Sequence, residues 1–258
     1  MINTLKIFCL SSLFLFSCEK VIEVDLNDEE EKIVIEGIVV SGEEEHLVKI
    51  SKTIKIGDTG TFPFVDNAQV TLWDSEGNNQ VLTYFSEGVY KTVDFLGVEG
   101  RTYTLEVNWN GNTYTAHSTI PNQVKIDSLT LEEFGFGSDK YYYPVPRRMD
   151  TPNVKNYYLF KLYQNSERVE GIYLQDDQYS DGVEILQPIF GGEFKSEDTL
   201  SIEMNCIDNN VYKYFFALAQ NGGGTGGSIP ANPKNNFSGN CLGYFSAQTK
   251  EVKTLIIP

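Results

Sequence analysis

Basic residues are scarce in this chain. It has 20 Lys and Arg against 36 Asp and Glu among 258 residues, which gives a formal net charge of −16. A surface this acidic is repelled by the phosphates of nucleic acids, whose binding depends on cationic contacts, and by anionic lipids. We therefore expect no nucleic-acid partner. Any attachment to a membrane has to come from something other than a basic patch.

Histidine is scarcer still, and this argues against common metal and acid–base chemistry. The two histidines are His46, which follows an acidic turn, and His117, in a strand-like segment. Neither has a second ligand at the spacing of a zinc motif, so both are predicted to be solvated surface residues. One acidic stretch offers oxygen ligands to calcium but does not match an EF-hand, and it is interpreted as an ordinary loop: Asp176-Asp177, Asp181-Gly182 and Glu184.

Catalytic signatures are missing as well. The chain has no Gly-x-Ser-x-Gly nucleophile elbow. The Gly-rich run at residues 222–227 does not directly follow a strand, and no Gly-Lys-Ser/Thr comes after it. It is therefore predicted to be a flexible loop rather than a phosphate-binding loop. We expect no catalytic residues, no metal site and no cofactor. The alternative, a hydrolase, would need a pocket with two carboxylates about 5–9.5 Å apart.

A membrane-spanning run of about 20 apolar residues is also lacking. Residues 7–16 form a ten-residue apolar run after Lys6, which suits a secretory signal. The sequence Leu15-Phe16-Ser17-Cys18 that ends this run resembles the lipobox of bacterial lipoproteins. The resemblance implies that residues 1–17 are removed and that Cys18 carries a diacylglycerol thioether and an acylated amino terminus. The alternative is a plain signal peptide with a chance cysteine.

Strand patterns dominate the chain after an acidic tether predicted at residues 18–31. Tyr103, Leu105, Val107 and Trp109 alternate with polar residues, and Asn110-Gly111 then suits a type I′ hairpin turn. About seven such segments over residues 32–121 predict an immunoglobulin-like or transthyretin-like β-sandwich. The overall prediction is an all-β fold in which this sandwich is followed by a second antiparallel β-rich domain.

The second domain, over residues 122–258, is predicted to contain one short helix. Val211, Phe215 and Leu218 recur at helical spacing within residues 209–220. Asp208 comes directly before this segment and is a good helix N-cap.

Two cysteines remain once Cys9 is assigned to the signal and Cys18 to the lipid. They are Cys206 and Cys241, and disulfides can form in exported proteins. A Cys206–Cys241 bridge is therefore predicted. The alternative is two buried free thiols, because spacing alone does not give the distance between them.

One segment stands out as a binding surface. Tyrosine and arginine are enriched at binding hot spots, although tyrosine also packs at sheet edges. The residues of this predicted surface are Tyr141, Tyr142, Tyr143, Arg147 and Arg148.

The order of several short motifs along the mature chain resembles the DUF4249 family of Bacteroidota lipoproteins. These motifs are Ser17-Cys18-Glu19-Lys20-Val21-Ile22, Ile33-Val34-Ile35-Glu36-Gly37, Ala68-Gln69-Val70-Thr71-Leu72 and Leu242-Gly243-Tyr244-Phe245-Ser246-Ala247. The resemblance implies a protein anchored to the outer membrane through Cys18, facing the cell surface, with a TonB-dependent transporter as partner. It supplies no catalytic residue. We expect a non-catalytic binding or accessory subunit, and the alternatives are an envelope hydrolase for glycan or peptide and a structural or adhesive surface protein.

Overall fold

The structure, a computed structural model, describes residues 31–54, 60–136, 139–222 and 233–258. The predicted signal at 1–17, Cys18, residues 18–30 of the tether and most of the Gly-rich run lie outside these residues. Within the described ranges the chain forms seventeen strands and one helix: β1 (Ile33–Val40), β2 (Leu47–Lys52), β3 (Gln69–Asp74), β4 (Asn79–Val81), β5 (Thr83–Ser86), β6 (Val89–Lys91), β7 (Thr102–Trp109), β8 (Asn112–Thr119), β9 (Ser128–Phe136), β10 (Asp139–Met149), β11 (Tyr157–Gln164), β12 (Glu167–Asp176), β13 (Glu184–Ile185), β14 (Thr199–Cys206), α1 (Asn209–Gly222), β15 (Phe237–Ser238), β16 (Leu242–Gln248) and β17 (Glu251–Ile256). The predicted all-β class with one short helix is confirmed. No helix in this part of the chain is both long enough and apolar enough to cross a bilayer.

Two five-stranded sheets form the first unit. Their strand orders are β16-β1-β2-β6-β5 and β15-β8-β7-β3-β4. Alternate residues of a strand face opposite sides of its sheet, and Tyr103, Leu105 and Val107 of β7 are buried in the core between the two sheets. At the β7–β8 turn, Asn110 and Gly111 have φ values of 47° and 76°, as the predicted type I′ hairpin requires.

Two smaller sheets form the second unit. Their strand orders are β12-β11-β14-β17 and β13-β10-β9. Both contribute to a second core, which includes Tyr158 and Phe160 of β11 and Ile202 of β14. Helix α1 packs on the outer side of the larger sheet, where Val211 is buried against Leu159.

The strand pairing crosses the sequence boundary predicted at residues 121 and 122. Strand β15 pairs with β8, and β16 pairs in parallel with β1. Only β17 then returns to the second unit, beside β14. The prediction that residues 122–258 form a domain by themselves is not matched by this pairing, because a strand pattern reveals a strand but not its neighbour.

Gly243 allows β16 to lie against β1. Its φ is +102°, and a Cβ atom at this position would be 2.0 Å from the carbonyl oxygen of Ile35. Any larger residue would combine a strained backbone with a contact that only a shift of β1 could relieve. The end of the chain therefore joins the first sheet at a position that requires glycine.

Asp208 confirms its predicted role at the start of α1. Its Oδ1 accepts hydrogen bonds from the backbone N–H groups of Asn210 at 2.8 Å and Val211 at 3.0 Å, which satisfies donors that the first helical turn leaves free. Its Oδ2 accepts a hydrogen bond from the hydroxyl of Ser118 in β8. One carboxylate thus caps the helix and joins the two units.

Asp74 stabilises the β3–β4 turn of the first unit. It accepts hydrogen bonds from the backbone N–H groups of Glu76 and Asn78 and from the Asn78 side chain, and Arg101 lies 2.7 Å from its Oδ2. Burial alone would raise the pKa of Asp74. The hydrogen bonds from Asn78 and Arg101 outweigh burial, and the pKa lies below its ordinary value.

Asp74→Asn should lower the free energy of unfolding by about 2–3 kcal/mol at neutral pH, because it weakens a network of charge-assisted hydrogen bonds. A lowered folded-state pKa means that ionised Asp74 stabilises the fold above the ordinary Asp pKa. This contribution is lost as the pH falls through the folded-state pKa. Urea denaturation should therefore show the difference from wild type shrinking between about pH 5 and about pH 2.

The matched control for this prediction is Asp127→Asn, because Asp127 is exposed. It should change the unfolding free energy by less than about 0.5 kcal/mol. A loss from Asp74→Asn that stayed constant down to low pH would contradict the assigned role of the charge.

Candidate functional site

The predicted tyrosine–arginine surface is divided between two faces of β10. Tyr142 packs on the second core, and Arg148 is completely buried. Tyr141, Tyr143 and Arg147 are half-buried on the opposite face. The strand period of two residues separates them, so the five predicted residues do not form one surface.

The outer side of the β9–β10 hairpin carries an exposed aromatic surface. We call Phe134, Tyr141, Tyr143 and Phe190 the outer aromatic face. The Tyr143 and Phe190 rings meet edge to face with their centroids 5.1 Å apart, and Lys195 lies over the Tyr141 ring at 5.8 Å. Phe134 and Phe190 are 66% and 67% exposed, far more than a large aromatic residue in a folded core.

Arg148 belongs to the core of the second unit. Its guanidinium lies 4.2 Å from the ring centroid of Tyr158 and donates hydrogen bonds to the Pro146 carbonyl at 3.0 Å and to Gln175 Oε1 at 2.8 Å. Burial lowers the pKa of Arg148, and the aromatic ring and hydrogen bonds compensate the desolvated charge. The prediction of Arg148 as a recognition residue is corrected accordingly: its role is structural.

Arg148→Ala should destabilise the protein by about 3–5 kcal/mol, because it removes cation–π and hydrogen-bond contacts in a core and leaves a cavity. Arg147→Ala is the matched control. Arg147 forms a partly exposed ion pair with Glu184 at 2.8 Å, so its loss should cost less than about 1 kcal/mol. Urea denaturation of both variants measures the difference, and equal effects would refute the assignment.

The two cysteines are free thiols, which corrects the predicted bridge. Cys206 is buried in the second core and Cys241 in the first. Burial raises the pKa of both thiols, that of Cys241 to about 11, so both stay protonated at neutral pH. The alternative prediction of two buried free thiols is therefore the correct one, because the two cysteines lie in different cores.

His46 is buried, contrary to its prediction as a surface residue. It is 2% exposed, and its Nδ1 accepts a hydrogen bond from the Val40 N–H at 3.4 Å. Burial lowers its pKa, so the ring is neutral at pH 7. Its Nε2 has no hydrogen-bond partner among the described residues. His117, by contrast, is exposed as predicted.

A cavity of about 530 Å³ lies where the two units meet. We call it the junction cavity. It combines an apolar wall from the first sheet with charged side chains from both units. Its lining is Ile38, Val40, Glu43, Glu44, Glu45, His46, Leu47, Lys161, Glu203, Gln248 and Lys250.

Ion pairs fix most of the charges around the junction cavity. Lys161 lies 2.5 Å from Glu203 and Lys250 lies 2.9 Å from Glu43. Glu45 pairs with Lys91 outside the cavity at 3.0 Å. The Glu44 carboxylate has no polar side-chain partner in the described part of the chain, so four glutamates face two lysines in the lining. The cavity therefore favours a ligand with a positive group.

Two carboxylates of the acidic loop considered for calcium accept hydrogen bonds from the backbone. Asp177 accepts a hydrogen bond from the Asn156 N–H at 2.8 Å, and Asp181 accepts one from the Asn153 N–H at 2.7 Å. Within the described residues, no group of three or more His, Cys, Asp or Glu side chains is arranged to hold a metal ion.

Comparison with known families identifies the chain. A family model described as a domain of unknown function, DUF4249, matches residues 19–254. The chain belongs to the DUF4249 family. No curated protein matches it. In this DUF4249 chain the junction cavity could not be found from the sequence, because its walls come from distant segments that no motif connects.

Proposed function

We propose that this DUF4249 protein is a lipoprotein of the outer membrane, anchored through Cys18 and facing the cell exterior. It acts there as a binding protein without catalytic activity. Its role is that of an accessory subunit that holds a ligand beside a TonB-dependent transporter. The lipobox resemblance supports the anchor, and the family resemblance supports the transporter as partner. The junction cavity is the observation that carries the binding role.

The junction cavity suits an amine-bearing ligand with an apolar body. Its volume of about 530 Å³ falls within the range of small-molecule sites. The carboxylate of Glu44 is available to pair with an ammonium group, while Ile38, Val40 and Leu47 contact apolar atoms. Free-amino dipeptides have this chemistry.

Ligand binding should depend on the charge of Glu44. Isothermal titration of the protein with pooled dipeptides should detect binding that N-acetylation of the same dipeptides removes. Glu44→Gln should weaken it about tenfold, as expected for loss of one partly exposed charge pair. Glu167→Gln, an exposed residue of β12 outside the cavity, should leave binding unchanged. Equal binding of acetylated and free dipeptides would argue against this site.

The outer aromatic face suits a protein partner. Tyrosine and other aromatic residues dominate the binding energy of many interfaces, and two phenylalanines here are mostly exposed. We assign contact with the transporter to this face because it lies on the second unit, away from the start of the chain.

Pull-down of the tagged lipoprotein from mild detergent should recover a large β-barrel protein. Tyr143→Ser with Phe190→Ser should reduce the recovered amount at least about tenfold, since it removes an interface hot spot. Val93→Ser with Leu96→Ser is the control pair, because both residues are about half exposed on the first unit. Recovery of the lipoprotein alone, under conditions that preserve known transporter complexes, would refute the partner.

A further inference from the structure

The first unit has two chemically different ends. Strand β1 starts at Ile33 at one end, and the β7–β8 turn lies beside it. The two segments line one cavity of about 380 Å³ together with the β15–β16 turn: Glu31, Lys32, Ile33, Trp109, Asn110, Asn112, Thr113, Tyr114, Gly239 and Asn240. We call this the proximal end. The other end, where β8 finishes, is bonded to the second unit through Ser118 and Asp208.

Two exposed phenylalanines lie at the proximal end. Phe64 is bridged to Ser51, and the Lys52 N–H donates to the Pro63 carbonyl at 2.9 Å. Because this segment runs antiparallel to β2, Phe62 lies beyond Lys52, at the end of β2. Lys52 is opposite Ile33, the first residue of β1. Phe62 and Phe64 are 56% and 44% exposed, and Lys49 lies 5.8 Å from the centre of the Phe64 ring.

The length of the preceding chain sets how far this end can be from a membrane. Twelve residues separate Cys18 from Glu31. The covalent geometry of the backbone limits the span of such a segment to at most about 45 Å. The opposite end of β1 is farther from the anchor by the length of an eight-residue strand, about 26 Å. The proximal end is therefore the one that meets the bilayer first.

The charge at the proximal end fits a neutral lipid surface. Although the whole chain has a net charge of −16, the charged residues near Phe62 and Phe64 nearly balance. Three lysines lie close to four carboxylates: Lys32, Lys49, Lys52, Glu31, Glu36, Asp66 and Glu87. Phenylalanines with neighbouring lysines are typical of segments that lie in the membrane interface, where the rings contact the acyl boundary and the ammonium groups reach phosphate.

We propose that Phe62 and Phe64 insert into the headgroup layer of the bilayer and orient the protein on it. This inference rests on the proposed lipid anchor at Cys18. The tether keeps Phe62 and Phe64 close to the membrane and so raises their effective concentration there. Two phenylalanines are then sufficient for insertion, although they would bind the membrane weakly without the tether. The junction cavity then faces away from the bilayer, on the side of the second unit.

The test uses the mature lipoprotein in phosphatidylcholine vesicles with a fluorescent dye on Asn112→Cys, at the exposed proximal turn. Cys206 and Cys241 are buried, and the sulfur of Cys18 is blocked by its thioether bond to the lipid. The dye should therefore label only the new cysteine, with wild type as the labelling control. A nitroxide on the lipid headgroup should quench this dye. The same dye on Leu96→Cys, at the opposite end, should be quenched at least about twofold less.

The role of Phe62 and Phe64 is tested in the dye-labelled Asn112→Cys protein. Phe62→Ser with Phe64→Ser should reduce quenching at least about twofold, because the insertion is lost while the tether stays. Val93→Ser with Leu96→Ser, an apolar pair of similar fractional exposure at the opposite end, should not change quenching.

The outcomes separate the two proposals. A protein that does not float with the vesicles has no lipid anchor, which overturns the anchor and this inference with it. A protein that floats but shows equal quenching at both dye positions, or no effect of the double serine variant, keeps the anchor and overturns the inference. Quenching that depends on the number of proteins per vesicle would show that Phe62 and Phe64 contact a second copy of the protein, which would also overturn the inference.

Discussion

The hydrogen bonds around the connection from β16 to β17 hold the two units of this protein together. Gln248 donates to Asn205 Oδ1 at 2.8 Å, and Thr249 exchanges hydrogen bonds with the backbone of Cys206. These groups are buried, so breaking any one of them would leave an unsatisfied polar group. Because the connection is only two residues long, β16 in the first sheet fixes the position of β17 in the second.

The junction cavity is a product of this constraint. Its apolar wall comes from β1 and β2, whereas Lys161 and Glu203 come from the second unit and Lys250 lies on the connection itself. Lys161 and Glu203 lie on strands β11 and β14, which position side chains precisely. The other charged lining residues lie in the β1–β2 and β16–β17 loops: Glu43, Glu44, Glu45 and Lys250. The junction cavity therefore combines charges on strands of the second unit with the loop carboxylate of Glu44.

Local signals made part of the structure predictable from sequence. Asn110-Gly111 specifies its own turn, and Asp208 caps the helix that follows it, because these effects act within a few residues. The partner of β16, the burial of His46 and Arg148, and the cavity depend on contacts between distant segments. Alternation along β10 does predict that Tyr142 and Arg148 face away from Tyr141, Tyr143 and Arg147, so that division was available from the pattern once the strand was assigned.

The parallel pairing of β1 with β16 also determines when the first sheet can be completed. Strand β1 pairs with a neighbour that is synthesised about 200 residues later, and such distant pairing slows folding. Until then, the backbone of β1 presents an open edge that can pair with another copy. A chain truncated before residue 242 would keep that edge permanently, which makes aggregation, rather than a smaller folded protein, the expected fate of C-terminal truncation.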